Sequence, residues 1–456
     1  MAEKAKFQAI KGVRDILPPE SALWNRVEQT AREVFGTFGF AEIRLPIFEP
    51  TELFARSVGE ETDIVSKEMF SFWDPFDIRL RPEIAIEEAK LRGMNVSSLD
   101  DLGTIKLGAA FQQLSLRPEA TATVVRAYIE HGIHTLPGNV KLYYMGPMFR
   151  RERPQKGRYR QFYQIGAEVL GTSDAPGIDA EVIEMLMTLF ERLKLKGAIL
   201  NINSIGDKNC RPAYVDKLRA ELQKVREQLG PDSQRRIETN PLRVLDSKLE
   251  HEQPIIEKLP RISDYLDEPC RKHFEEVQEI LQAVGVPYTL NNRLVRGLDY
   301  YTRTAFEFTH GALGAQNAIL GGGRYDGLSE ALGGPRAPGI GFAIGEDRLV
   351  LALSESAEAL SCRPDVYIAP LGAGMNREAA RLARELRRHD VIVELGDEGF
   401  RLKKSLELAS RMNARFALIV GENEVKSDTF ALKNLATGEQ VSVARTQLPA
   451  RIQKIG

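Results

Sequence analysis

The stretch FRRERPQKGRYRQFYQ, residues 149–164, carries six Arg or Lys among sixteen residues, arranged around a Pro154-Gln155-Lys156-Gly157 turn. Residues 141–150 before it alternate in the manner of a strand, and residues 159–170 after it read as the antiparallel partner. Such a hairpin projects guanidinium forks from two strands toward one place. Arginine suits phosphate because its planar donors bind bidentately and keep their charge at any working pH. The pattern therefore points to a nucleotide polyphosphate. A solvated basic hairpin or an RNA-contacting loop would look similar in charge alone. The flanking Phe149, Tyr159, Phe162 and Tyr163 argue against a merely solvated hairpin, because alternate side chains would be buried and could offer a ring for stacking a base.

Working outward, residues 24–38 place Leu23, Val27, Ala31, Val34, Phe35 and Phe38 at helical spacing, with Gly36 and Gly39 closing the helix before a strand at 43–48. A helix is predicted at 121–131, ending at Gly132. Residues 178–193 form a second amphipathic helix, followed by a strand at 198–205 that stops at Gly206-Asp207. From 207 to 284 the texture becomes charged and helix-favouring, as an inserted helical module would be. Strand-favouring residues return over 288–308, and a helix is expected at 347–354. Beyond a polar stretch at 354–363, strands at 365–369, 391–395 and 416–420 alternate with helices at 376–389 and 402–412. This alternation predicts a small α/β domain with a mixed sheet. Gly372 and Gly374 lack a G-x-G-x-x-G frame and read as turn residues rather than a phosphate loop.

A chain of 456 residues with 43% hydrophobic content is long enough for two or three domains. Its formal net charge of -2 means that any nucleic-acid contact must come from a local patch. No apolar run suits a signal peptide or a membrane span, so a cytoplasmic protein is expected. Cys210, Cys270 and Cys362 lie far apart with no C-x-x-C spacing, and among six histidines none forms an H-x-x-x-H pair. Neither a disulfide framework nor a dedicated metal site is therefore expected. His131 and His134 read as polar residues at a helix end.

Several longer motifs resemble those of one family. MGPMFRRERPQKGRYRQF (145–162) resembles motif 2 of the class II aminoacyl-tRNA synthetases in its histidyl form. LVRGLDYY (294–301) and GGRYDG (322–327) resemble the two histidine signatures, and GIGFAIGEDR (339–348) resembles motif 3. KGVRDILP (11–18) with the following helix resembles the N-terminal region that includes motif 1. The resemblance covers almost the whole chain. It implies an α+β catalytic domain on an antiparallel six-stranded sheet, divided between 1–206 and 285–354. The helical module at 207–284 would interrupt it, and 363–456 would be an α/β anticodon-binding domain. It also implies a homodimer, ATP as substrate with Mg2+, and histidine and its tRNA as partners, with no membrane.

Carried over residue by residue, Arg150 would contact the α-phosphate, and Glu152 and Arg158 the adenine side and the outer phosphates. Phe162 would stack on adenine, and Arg348 would clamp the γ-phosphate. Glu119, Ala120 and Thr121, with Gln164, would hold the histidine amino group. Glu168 and Tyr301 would read the imidazole, with Tyr300 close by, since discriminating histidine requires partners for both ring nitrogens. Arg296 would lie between carboxylate and α-phosphate; a structural ion pair with Asp299 is the other reading of that residue. A bland turn is the other reading of 321–327. The region 73–113 departs from the family pattern by about 30 extra residues. It contains a second Arg81-Pro82-Glu83, but only the copy at Arg117-Pro118-Glu119 runs on into a helix, so substrate binding is assigned there rather than to Glu83. Two alternatives from other classes are a catalytically silent regulatory paralogue and an RNA-binding sensor of uncharged tRNA. The presence of both histidine signatures and of a C-terminal domain argues against the first, and intact Arg150, Arg296 and Arg348 against the second.

Overall fold

The structure is a computed structural model, and it describes residues 7–59, 62–73, 90, 113–155, 157–314, 317–354 and 363–453. Nearly all of the departure at 73–113, with Arg81, Pro82 and Glu83, lies outside the described residues, as does Cys362. The chain divides into two compact units, 1–358 and 359–456.

The strands of the first unit are β1 (Ala41–Glu42), β2 (Phe48–Pro50), β3 (Phe70–Trp73), β4 (Gln113–Leu116), β5 (Val140–Phe149), β6 (Gln161–Leu170), β7 (Ala198–Ser204), β8 (Thr289–Leu290), β9 (Thr302–His310), β10 (Ala318–Arg324) and β11 (Gly339–Gly345). β2, β4 and β3 form a small antiparallel sheet. The other strands form one sheet in the order β1-β5-β6-β11-β10-β9-β7-β8. The expected six-stranded antiparallel sheet is thus corrected to an eight-stranded mixed one. The inner six strands are antiparallel, and β1 and β8 add in parallel at the two edges. Both edge strands are two residues long and exposed, so their sequences hold no alternation from which pairing could be read.

One sheet face is closed by the helices Glu20–Thr37 and Pro176–Arg192. Phe35 of the first packs on Tyr143 of β5 and Phe342 of β11, with ring centroids 5.4 and 6.0 Å apart. The opposite face is left to the cleft described below. The helices Arg211–Lys224, Pro231–Thr239 and Glu268–Ala283 lie between β7 and β8 in the chain. In the second unit, β12 (Val366–Leu371), β13 (Val393–Leu395), β14 (Phe416–Gly421), β15 (Thr429–Asn434) and β16 (Gln440–Ala444) form a mixed sheet in the order β13-β12-β14-β15-β16. Gly372 and Gly374, with φ of +105° and +86°, make the turn from β12 into the helix Met375–Arg387.

The strand expected at 43–48 does not form as one element. Its middle is tied down by Arg117, a buried cation whose Nη1 donates to the carbonyls of Leu45 and Pro46 at 3.0 and 3.2 Å, while its Nε donates to Pro147 O at 2.9 Å. Those carbonyls are satisfied by a side chain instead of a ladder. Burying three orphaned acceptors costs far more than losing one exposed hydrogen bond. Replacing Arg117 with Met is expected to lower the stability of the first unit by about 3 kcal/mol, measured from urea midpoints. A loss under about 1 kcal/mol would show that water replaces the guanidinium there.

Candidate active site

Paired residues on neighbouring strands point to the same sheet face. The registers place Glu307 (β9), Gly321 (β10), Ala343 (β11), Gly166 (β6) and Tyr144 (β5) in one row. The three central members have little or no side chain. The row therefore makes a floor, with a carboxylate at one end and a phenol at the other. An added Cβ on Gly321 would stand 2.0 Å from Nη2 of Arg296, and one on Gly166 would stand 2.3 Å from the Tyr144 hydroxyl. Arg296 and Tyr144 thus lie flat on bare backbone.

Above this floor, one cleft is lined by every residue assigned from the sequence except Ala120 and Glu168. Ala120 is fully buried at the start of the helix Thr121–Glu130. Glu168 sits just behind the cleft, accepting from Thr121 Oγ1 and Tyr325 Oη at 2.7 Å each. Thr121 lines the cleft itself, and Tyr325 meets it through Tyr300. Glu119 spends both oxygens on the start of the same helix, accepting from Thr121 N at 2.8 Å and Ala122 N at 3.0 Å. These bonds aim its carboxylate, and burial pushes its pKa up against them.

Arg150, at the end of β5, donates from Nε to Pro118 O at 2.9 Å and lies 5.3 Å over the Phe162 ring. Glu152 accepts from Arg158 at 2.5 Å and stands 3.9 Å from Arg150. Arg348, in the helix Glu346–Ser354, donates to Ala318 O at 2.7 Å and Gly157 O at 3.3 Å. Burial, reinforced by the nearby cations of Arg158 and Arg150, pushes its pKa down. A polyanion would relieve that repulsion. Arg296 pairs with Glu307 at 3.4 Å and lies 5.5 Å over the Tyr301 ring. The ion pair with Asp299 is not the arrangement found, because Asp299 turns toward Asn240, whose Nδ2 donates to it at 3.4 Å. Nε of Arg296 and Oε1 of Gln164 are buried without a hydrogen-bond partner. Tyr300 and Tyr301 lie tilted to each other with ring centroids 4.7 Å apart, and Tyr300 meets Tyr325 edge-on at 5.8 Å.

Sequence reasoning gave no role to Tyr144, Glu307, Tyr325 or Arg14. Arg14 lies on the outer side of the hairpin, where it pairs with Glu20 at 2.8 Å and with Asp347 at 3.0 Å, and its guanidinium covers Tyr159 at 4.9 Å. Asp347 in turn accepts from Tyr163 N at 3.2 Å. The positions of Tyr325 inside the GGRYDG motif and of Arg14 inside KGVRDILP were the available signals for these.

The profile of the histidyl-tRNA synthetase family matches residues 77–349, and that of an anticodon binding domain matches residues 365–455. The chain is 58% identical over 454 residues to the histidine–tRNA ligase of Koribacter versatilis, covering 99% of this chain and 97% of that one. It belongs to the histidyl-tRNA synthetase family. The histidine–tRNA ligase of Solibacter usitatus is 53% identical, with 98% of this chain and 99% of that one covered. Among solved structures, the apo histidyl-tRNA synthetase of S. aureus superposes with a TM-score of 0.74 at 34% identity, covering 98% of this chain and all of that one. An ATP phosphoribosyltransferase regulatory subunit/histidyl-tRNA synthetase from Bacillus halodurans reaches a TM-score of 0.62 at 20% identity, which speaks to the fold alone. The family match from residue 77 includes most of the region where the sequence departs from the expected pattern. Its lower boundary leaves the N-terminal Arg14 segment to the full-length relatives.

Two expected outcomes follow from this histidyl-tRNA synthetase cleft. In Gly321→Ala the new methyl meets the far end of a flexible side chain, so the fold is retained while Arg296 is displaced. Histidine-dependent exchange of pyrophosphate into ATP should fall about 100-fold with an unchanged melting point; near-normal exchange would show that the seat of Arg296 is unimportant. The second concerns Glu168, which burial lifts to about 8 against the bonds from Tyr325 and Thr121. An acid whose pKa rises on folding contributes fully below its unfolded value near 4.5, and the contribution is lost as pH rises through about 8. Glu168→Gln cannot ionise, so it should lose less stability than the unaltered chain between about pH 5 and pH 8. Parallel urea-midpoint curves for the two proteins would contradict this.

Proposed function

We propose that the chain activates L-histidine with ATP, releasing pyrophosphate, and passes the histidyl group from the adenylate to the 3′-terminal ribose of histidine tRNA. The observation that carries this reading is the partly buried Arg296 guanidinium, seated on Gly321 in the same cleft as Arg150, Arg158 and Arg348. In the first step a carboxylate oxygen of histidine bonds to the α-phosphorus as the bond to the β-phosphate oxygen breaks. Negative charge builds on the α-phosphate oxygens, and Arg150 and Arg296 supply fixed cations for it. Arg158 and Arg348 take the outer phosphates, and Phe162 stacks on adenine. Catalysis is positioning and electrostatics, with no covalent nucleophile required.

On the histidine side, Glu119, Thr121 and Gln164 receive the amino group. Tyr301 and Glu168, the latter relayed through Thr121 and Tyr325, read the imidazole. Mg2+ accompanies the phosphates, and Glu152 and Glu307 are carboxylates of the cleft suited to a hard cation. The C-terminal domain, 363–456, binds the anticodon. The chain works in the cytoplasm as a homodimer; the exposed Ile47, Phe48 and Phe72 on or beside the small sheet offer an apolar face for a second copy.

Purified protein is expected to exchange labelled pyrophosphate into ATP with histidine and not with other amino acids. Arg296→Ala should lower that exchange by a factor of about 100 to 1,000 while histidine binding remains measurable by calorimetry. No exchange by folded protein would overturn the enzyme reading, and unchanged exchange in the variant would remove Arg296 from the reaction.

A further inference from the structure

Two Asp-x-x-Cys sequences, one at 207–210 and one at 267–270, are far apart in the chain but meet in space. Sγ of Cys210 and Sγ of Cys270 are 3.9 Å apart across 60 residues of sequence. Ligand atoms of Asp207, Cys210, Asp267 and Cys270 all lie within 4.8 Å of one another, with both thiols buried and both carboxylates half-buried. Each pair marks the entry to a helix. Asp267 accepts from Cys270 N at 3.0 Å at the start of Glu268–Ala283. Asp207 accepts from Asn209 N at 2.8 Å and Cys210 N at 3.3 Å just before Arg211–Lys224. These bonds fix the carboxylates beside the sulfurs.

The spacing excludes a disulfide and admits a shared metal ion. Tetrahedral zinc with Zn–S of about 2.3 Å sets two thiolates about 3.8 Å apart, close to the separation found, whereas a disulfide needs sulfurs at about 2.05 Å. The backbone also makes room for the sulfur. Gly206 has φ of +62°, and a Cβ there would stand 2.7 Å from Cys210 Sγ. Next to the cluster, the Arg211 guanidinium is buried among carbonyls, donating to Ile205 O, Gly206 O and Tyr301 O at 2.9, 2.9 and 2.6 Å. Its charge offsets an anionic ligand set. Two thiolates select a borderline-soft ion over Mg2+ or Ca2+, and four protein ligands leave no open position for substrate.

We propose that Asp207, Cys210, Asp267 and Cys270 bind one structural zinc ion, which staples the entry of the insert's first helix to the entry of its last. Sequence spacing pointed away from zinc because each half supplies a single cysteine, and an aspartate completes each pair. The staple sits one residue from Arg211, whose bond to the Tyr301 carbonyl ties it to the backbone of an active-site residue.

The test uses the full chain carrying Cys362→Ser, purified under reducing conditions, so that the pair supplies its only thiols. About one zinc per chain is expected by elemental analysis. Replacement of zinc by Co2+ should give tetrahedral d–d bands and a sulfur-to-cobalt charge-transfer band in the near ultraviolet. Cys270→Ser should at least halve the intensity of that band at saturating Co2+ or abolish binding, and Asp207→Asn, which keeps a capping oxygen, should weaken Co2+ binding at least about 10-fold. Should Cys270→Ser misfold, the spectrum and thiol count of the unaltered pair still decide. No metal and no charge-transfer band after incubation with Co2+ would overturn the proposal. So would metal without a sulfur signature, or a Cys210–Cys270 disulfide in the native protein.

Discussion

The partly buried guanidinium of Arg296 occupies the volume that any side chain at position 321 would need. Much of the cleft follows from that exclusion. Position 321 must be bare on its cleft face or the cation could not lie against the sheet, and position 166 must be bare for the Tyr144 ring in the same way. A partly buried cation also needs compensation. Glu307 supplies it from the adjacent strand, and the Tyr301 ring supplies it from above. The larger groups stand at the ends of the row. The sheet is thus a shallow trough whose depth is set by missing side chains.

The other arginines solve a different problem. Arg150 and Arg348 are oriented largely by backbone carbonyls, which fix a guanidinium without cancelling its charge. Arg158 is steadied by Glu152. Burial, and after it the nearby cations of Arg158 and Arg150, lowers the Arg348 pKa in the free protein. The repulsion among these cations is relieved when a polyphosphate enters. Glu119 follows the same logic with opposite charge, since its aim comes from two amide hydrogens at a helix start. The site's charges are therefore held mainly by backbone, whose position the fold determines.

This explains which parts were legible in the sequence. The long strands β5 and β6 and the hairpin between them were readable because alternation and turn residues are local signals. Motif resemblance located the residues around the cleft, but not how they are connected. Glu168 acts from behind Thr121 and Tyr325, an arrangement that depends on where β6 and the 324–327 turn meet. The partner of Arg296 is Glu307, eleven residues on, rather than the nearer Asp299. The strands β1 and β8 consist of two residues each and owe their existence to the neighbour they join. The predicted strand at 43–48 broke because Arg117, about 70 residues later, takes the carbonyls that a ladder would have used. In each case the deciding partner lies outside any local window.

The bridge from Arg14 to Asp347 spans 333 residues of sequence. Arg14 also covers Tyr159 of the hairpin, and the backbone of Gly12 accepts from Arg160 N at 2.7 Å. During synthesis these early contacts can form once the hairpin has emerged, but the anchor at Asp347 is not available until more than three quarters of the 456 residues have been made. The helix bearing Arg348 begins at the same place. A ribosome-bound chain therefore carries its cationic hairpin for a long interval before the segment that completes the cleft arrives, and the cleft is whole only when the first unit is nearly so.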